Sequence, residues 1–457
     1  MRRSLIAIAA AGVLLAGGSA VAETGVSVAV PAVPGASLTS PNVTHIGTVP
    51  LEGVGVSMKV LQLGPHRRAY VSGAAGLSIY NADNPAAPRL LGHLPMYNWE
   101  NEDIAVSADG RTAVMTEFTL GAYLHVVDVS DPTLPRLVGS LIPGGDHTVQ
   151  CADPRCNYLY GSEGNTYDLR DRANPKRLPS SQSWGALVGV RDSHALHQDE
   201  AGVWISDSSP LVVFRQTRDP LHLTVLTRGT ITKDTAYQHN NIRPRALQYR
   251  PRNTFNGPMR PGELLLGEGE SGLTEACNGR SGAFSSWRMV GFERGEPMYQ
   301  LDVLRPVKGK AAGVDPIVDA MACSGHWFTT SSRTTGKIQV AAAWYEHGTR
   351  FLEVDPATGK ISQVGYFQPQ RGAASQAYWI PGTPYIWTLD YHSGIDILKY
   401  NDRAPLPKAA AIEQSWLSKA GVVDPLAEAT RELCRAGAKA TEQQHHRALG
   451  LARELFS

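Results

Sequence analysis

Leu124-His-Val-Val-Asp-Val-Ser-Asp-Pro132, followed at once by Pro135-Arg-Leu-Val-Gly139, is the stretch on which the fold turns. Its apolar residues alternate by two, the period of a strand rather than of a helix. Asp131-Pro132 then stops it, because proline has no N–H to give to a ladder. A second short strand carrying Leu-Val-Gly comes back. The same phrase stands at Leu77-Ser-Ile-Tyr-Asn-Ala-Asp-Asn-Pro85 with Pro88-Arg-Leu-Leu-Gly92. It returns at Asn165 to Pro175, at Leu211 to Pro220, in worn form at Glu296-Pro297, and at Arg350 to Pro356.

The prolines at 85, 132, 175 and 220 are 47, 43 and 45 residues apart. A period near 45 with alternating strands and tight turns predicts β-propeller blades of four strands each. The next two intervals, 77 and 59 residues, imply insertions at about 243–262 and 272–288 in unit five and about 306–318 in unit six. A seventh unit starts near Ala374 and runs out at Asn401-Asp-Arg-Ala-Pro without a fourth strand. Val43-Thr-His-Ile-Gly-Thr-Val-Pro50 has the fourth-strand pattern but no unit before it. Pairing the two closes the ring and leaves no free edge. The expected fold is therefore all-β: a seven-bladed propeller over 43–403, its last blade completed by the N-terminal strand.

The flanks differ in kind. Arg2-Arg3, the apolar run Leu5 to Gly17 and the ending Ala20-Val-Ala22 read as a secretory signal peptide over 1–22, cleaved after Ala22. The arginine pair leaves the general and the twin-arginine export routes both open. Residues 404–457 are rich in Ala, Glu, Leu, Arg and Lys. Leu426, Thr430, Leu433 and Gly437 recur at helical spacing behind an Asp424-Pro425 start, so a helical appendage is expected there. No other run of about 18 apolar residues occurs, so no membrane span is expected. The 457 residues carry 43 basic against 42 acidic side chains, which gives no electrostatic reason to bind nucleic acid.

Export makes disulfides available. Cys151 and Cys156 close a short loop of turn residues and are expected to pair. Cys277 and Cys323 are then partners by elimination, and Cys434 is left over.

In a propeller, the innermost strand of each blade starts beside the axis on one face. The loop between the second and third strands opens on that same face. The inner starts are Asp103, His147, His194, His239, His326 and Gln376. The first four are 44, 47 and 45 residues apart, matching the blade period, so the four histidines should ring the axis on consecutive blades. The loops add Glu117, Glu163, Asp207, Glu268 or Glu270, Glu346 with His347, and Asp390 with His392. Imidazoles backed by carboxylates are the usual surroundings of a transition metal. The candidate ligands are His147, His194, His239 and His326, with Glu163, Asp207, Glu270 and Glu346 around them and copper or zinc as the ion. Against this stands a plainer reading, a water-lined channel whose histidines only satisfy backbone groups. His197, three residues past His194, should face away on a strand and be structural. No phosphate-cradling glycine loop, Gly-x-Ser-x-Gly elbow or His-Glu-x-x-His helix occurs, so no nucleotide cofactor is expected.

His125-Val-Val-Asp-Val-Ser-Asp-Pro132 also resembles the name-giving strand of the secreted LVIVD-repeat proteins, bacterial seven-bladed propellers. Cys323-Ser-Gly-His-Trp-Phe328, Trp344-Tyr-Glu-His-Gly-Thr-Arg350 and Asp390-Tyr-His-Ser-Gly-Ile-Asp396 extend the likeness, which covers roughly 43–400. It implies the fold and export, and leaves activity open. In architecture the chain is distantly similar to the selenium-binding-protein and methanethiol-oxidase propellers, whose axial histidines bind copper. That implies a metal here, not a substrate. Two functions follow: a binding scaffold for an extracellular protein, polysaccharide or small molecule, or a metal-dependent oxidase or hydrolase.

Overall fold

The computed structural model describes residues 37–402, apart from 99–100, 118–122, 191–192, 209, 231–237, 271–281, 305–323, 334–335, 346, 370–372 and 392. The expected signal peptide, the expected C-terminal appendage, Cys277, Cys323, Cys434, Glu346 and His392 lie outside the described residues.

Seven antiparallel sheets follow one another along the chain, and each is one of the units read from the repeat. Blade one covers 55–95, blade two 105–141, blade three 149–177 and blade four 196–228. Blade five covers 238–304, blade six 328–368 and blade seven 374–400. The second insertion of unit five ends earlier than the sequence suggests, because Phe284–Arg288 is already its third strand.

The recurring Asp-Pro phrase has a physical basis. The side chain of Asn84, Asp131, Asp219 and Asp355 in each case accepts the N–H two residues on, at 3.2, 2.9, 2.9 and 2.9 Å. The carboxylate or amide bends the chain, and the proline after it keeps the strand from running on.

The ring closes through the N-terminus. Strand β2 (Val43–Val49) pairs antiparallel with Gly394–Tyr400 as the outermost strand of blade seven. Strand β1 (Leu38–Thr39), which the repeat did not foretell, adds a fifth strand to blade six along Ile361–Gln368. Between them, Asn42 donates its side-chain N–H to the Val364 carbonyl at 2.8 Å.

The core is shared between neighbouring blades. On the second strand of blade one, Val71 and Ala69 pack against Trp387 and Leu389 of blade seven, while Tyr70 turns to Ala113 and Met115 of blade two. Alternation along one strand thus serves two interfaces. Cys151 and Cys156 form a disulfide at the outer end of the inner strand of blade three.

Candidate metal centre at the channel mouth

His147, His194 and His326 each stand just before an inner strand begins, and His239 lies on the Gln238–Ile242 strand. These positions are at the axis, where neighbouring inner strands touch through isolated bridges at Asp103 with Thr148 and Trp327 with Gln376. The four imidazoles form a row, with ring centroids 4.6 Å apart from His147 to His194, 3.8 Å from His194 to His239 and 4.3 Å from His239 to His326.

The row bends round a residue that the sequence reading passed over, Glu102. Its Oε2 lies 3.1 Å from His147 Nε2, 3.4 Å from His194 Nε2 and 3.0 Å from His239 Nε2, and its Oε1 lies 3.2 Å from His326 Nε2. The blade period had pointed to its neighbour, Asp103. A one-residue shift of the inner-strand start in blade two accounts for the miss, and an adjacent Glu-Asp pair there was the available signal.

The electrostatics follow from burial and proximity. Burial pushes the Glu102 carboxyl up, but His147 and His326 outweigh it and hold it well below the usual carboxylate range. Burial lowers His194 well below the ordinary imidazole value, and the neighbouring His239 and His147 lower it further. His239 is lowered chiefly by burial. His326 is the exception: burial lowers it, yet Glu102 outweighs burial and raises it.

His326 also has a fixed tautomer. Its Nδ1 lies 2.6 Å from the carbonyl oxygen of Ser375, which can only accept, so Nδ1 carries the proton. In the neutral ring Nε2 is then a lone pair, facing a carboxylate oxygen. A backbone carbonyl on the far nitrogen is the usual way a ligating histidine is oriented.

Taken pair by pair, the distances are compatible with coordination as well as with hydrogen bonding. Two ligand atoms held ~2.1 Å from one ion stand ~3.0 Å apart at a right angle and ~3.4 Å at the tetrahedral angle. The nitrogen–oxygen separations around Glu102 span that same interval, 3.0 to 3.4 Å. Buried His and Glu groups here are able to hold a metal ion.

Glu270 joins from the loop after the second strand of blade five. Its Oε2 is 3.9 Å from His239 Nε2, and its Oε1 accepts the Tyr345 hydroxyl at 2.7 Å. The Tyr345 ring lies 4.6 Å from that of His326, on a backbone with φ 25°, an uncommon conformation for a non-glycine residue. His147 and Glu270 are 17% and 21% exposed, whereas His239 and His326 are fully buried, so the cluster reaches solvent at His147 and at Glu270.

Other expected residues have the following surroundings. Glu163 lines a cavity of about 610 Å³ with Asn165, Arg177 and Ser180 on blade three. Asp207 sits in a second polar layer of the channel, where its carboxylate accepts from Asn241 and lies 3.9 Å from His197 Nε2. His197 turns inward rather than away: its Nδ1 is 4.0 Å from Asp103, and its ring is 5.6 Å from Trp327. Its inner strand starts only at Leu196, so simple alternation counted from His194 does not apply. Asp103 completes the layer, near Lys59 Nζ at 3.8 Å and accepting from Gln150. Burial pushes its carboxyl up to about 6, despite Lys59. Glu268 is buried against Gly325, where an added Cβ would stand 2.6 Å from its side chain.

No family model and no curated protein matches this chain. Among solved structures it is similar to the β-propeller domain of Myceliophteria_thermophila Cps50 (Swd1), at 10% identity and a TM-score of 0.49, over 77% of this chain and 98% of that one.

Proposed function

We propose that this chain is an exported, metal-dependent enzyme of the LVIVD-repeat propeller type, an oxidase or hydrolase with copper or zinc bound at the mouth of its channel by His147, His194, His239, His326 and Glu102. The observation that carries the reading is the meeting of four imidazole nitrogens on one buried carboxylate, each at a nitrogen–oxygen separation that two ligands of an ion keep. Imidazole-rich sites suit these ions. When bound, such an ion supplies Lewis acidity or, for copper, electron transfer.

The chain's own residues divide the remaining work. Ser375 holds His326 in one tautomer. Tyr345 holds Glu270 by a hydrogen bond at a point where the cluster reaches solvent, and there Glu270 is placed to take a proton from an incoming molecule. The exposure of His147 and Glu270 favours catalysis over a structural ion, since structural sites are closed.

A second reading, a scaffold for an extracellular protein, polysaccharide or small molecule, draws on the polar cavity of about 610 Å³ beside Glu163 and Arg177. The two separate cleanly. Protein prepared without a His tag is analysed for metal as purified and after incubation with Cu(II) or Zn(II). Bound metal whose amount falls in the His239→Gln/His326→Gln variant supports the metal site on which the enzyme reading rests. A wild-type chain that retains only traces leaves the scaffold.

A further inference from the structure

Resting on the metal-binding reading above, we infer that the cluster is a dinuclear site, in which Glu102 bridges one ion held by His239 and His326 and a second held by His147 and His194.

The ligand atoms sort themselves this way. Among the described residues, Glu102 with His239 and His326 forms one trio whose ligand atoms all lie within 4.8 Å of one another, and Glu102 with His147 and His194 forms another. A third trio joins His194 and His239 to Glu270. None of these groups contains more than two imidazoles. Two ligands of one ion at ~2.1 Å cannot be farther apart than about 4.2 Å, so a single ion needs a tighter gathering than a row of four rings provides.

The row itself has length. Three successive centroid steps of 4.6, 3.8 and 4.3 Å place His147 and His326 at opposite ends. Glu102 lies along it with its two oxygens divided, Oε1 toward His326 and Oε2 toward His147, His194 and His239. Oε2 thus faces members of both pairs and Oε1 faces His326, so one carboxylate stands within reach of all four imidazoles, and paired ions clamp both ends of a reacting group. The two halves also differ in access. His239 and His326 are fully buried, while His147 is 17% exposed. The first pair, both imidazoles fully buried, forms the inner seat, although Glu270 beside it is itself 21% exposed, and the second pair forms the outer seat.

The test is stoichiometry, read without any assay of activity. Full-length mature protein without a His tag is stripped with chelator, dialysed against Zn(II) or Cu(II), freed of loose metal and analysed. About two ions per chain are expected. His147→Gln/His194→Gln should drop the count to about one, and His239→Gln/His326→Gln should do the same, each variant being checked for wild-type circular dichroism. If a double variant misfolds, His147→Gln alone, at the exposed end, serves for the outer seat. The Cu(II)-loaded protein should show less integrated electron-spin signal than its copper content, because bridged Cu(II) ions couple. One ion per chain, lost entirely in either variant, overturns the pair but leaves the metal reading standing. Trace metal in the wild type overturns both.

Discussion

His326 and Glu102 confront each other with two acceptor atoms, Nε2 and Oε1, 3.2 Å apart. The Ser375 carbonyl has taken the only proton of the neutral ring on the other side. Something positive belongs between the two atoms, either a proton on Nε2 or an ion. Both alternatives make the carboxylate the anchor of the cluster.

Glu102→Gln should therefore be costly even without metal. Removing one partner of a buried ion pair typically loses about 3–5 kcal/mol, because the other is left uncompensated. Urea denaturation in the presence of chelator, at neutral pH, checks this. A variant within about 0.5 kcal/mol of wild type would mean that the imidazoles do not depend on the carboxylate.

Deleting residues 23–50 should prevent soluble folding. It removes β2 from blade seven and exposes the Gly394–Tyr400 edge, and it also takes β1 off blade six. A truncated chain that elutes as a monomer and melts at the wild-type temperature would contradict the closure. Asn42→Ala removes the hydrogen bond to the Val364 carbonyl and the one that Asn42 Oδ1 accepts from Ser40 Oγ, and should cost about 1–3 kcal/mol.

The Cys151–Cys156 bridge closes a loop of only a few residues, so the chain-entropy estimate for it is small, about 2 kcal/mol. Cys151→Ser/Cys156→Ser should lose that much in equilibrium unfolding. Mass spectrometry of the alkylated, non-reduced protein should find both thiols blocked in the wild type.

His197 should make the protein sensitive to acid. Burial holds its imidazole down to about 3, with Lys59 and His239 adding to the shift. The unfolded chain takes up a proton near pH 6.5 that the folded chain refuses. Its contribution to stability is therefore complete above about pH 6.5 and drains away as pH falls toward 3. Melting of His197→Gln and wild type across pH 7 to 4 should show the gap between them shifting in the variant's favour on acidification. A pH-independent gap would place His197 in contact with water.

The sequence carried the blade count because each Asp-Pro turn is local chemistry: a side chain accepts an N–H two residues on, and the pattern repeats whatever the rest of the chain does. It carried the axial histidines for the same reason, since the period fixes which residue of a blade faces the axis. Glu102 escaped because the start of an inner strand slides by one residue without changing the period. His197 escaped because strand alternation holds only inside the ladder, and His194 lies before it. Strand β1 escaped because two residues are too short to show any periodicity.

That short strand changes the mechanics of the ring. With β1 on blade six and β2 on blade seven, the N-terminal segment laces two blades in succession, and Asn42 pins the crossing between them. A pull on the N-terminus meets β1 first, at the outer margin of blade six, and the paired residues Leu38 and Thr39 must part from Phe367 and Gln368 before any load reaches β2. Blade seven is thereby shielded by a sacrificial stitch on its neighbour. Tension arriving from the residues before Leu38 falls first on a few hydrogen bonds at the rim, away from the histidine-lined axis.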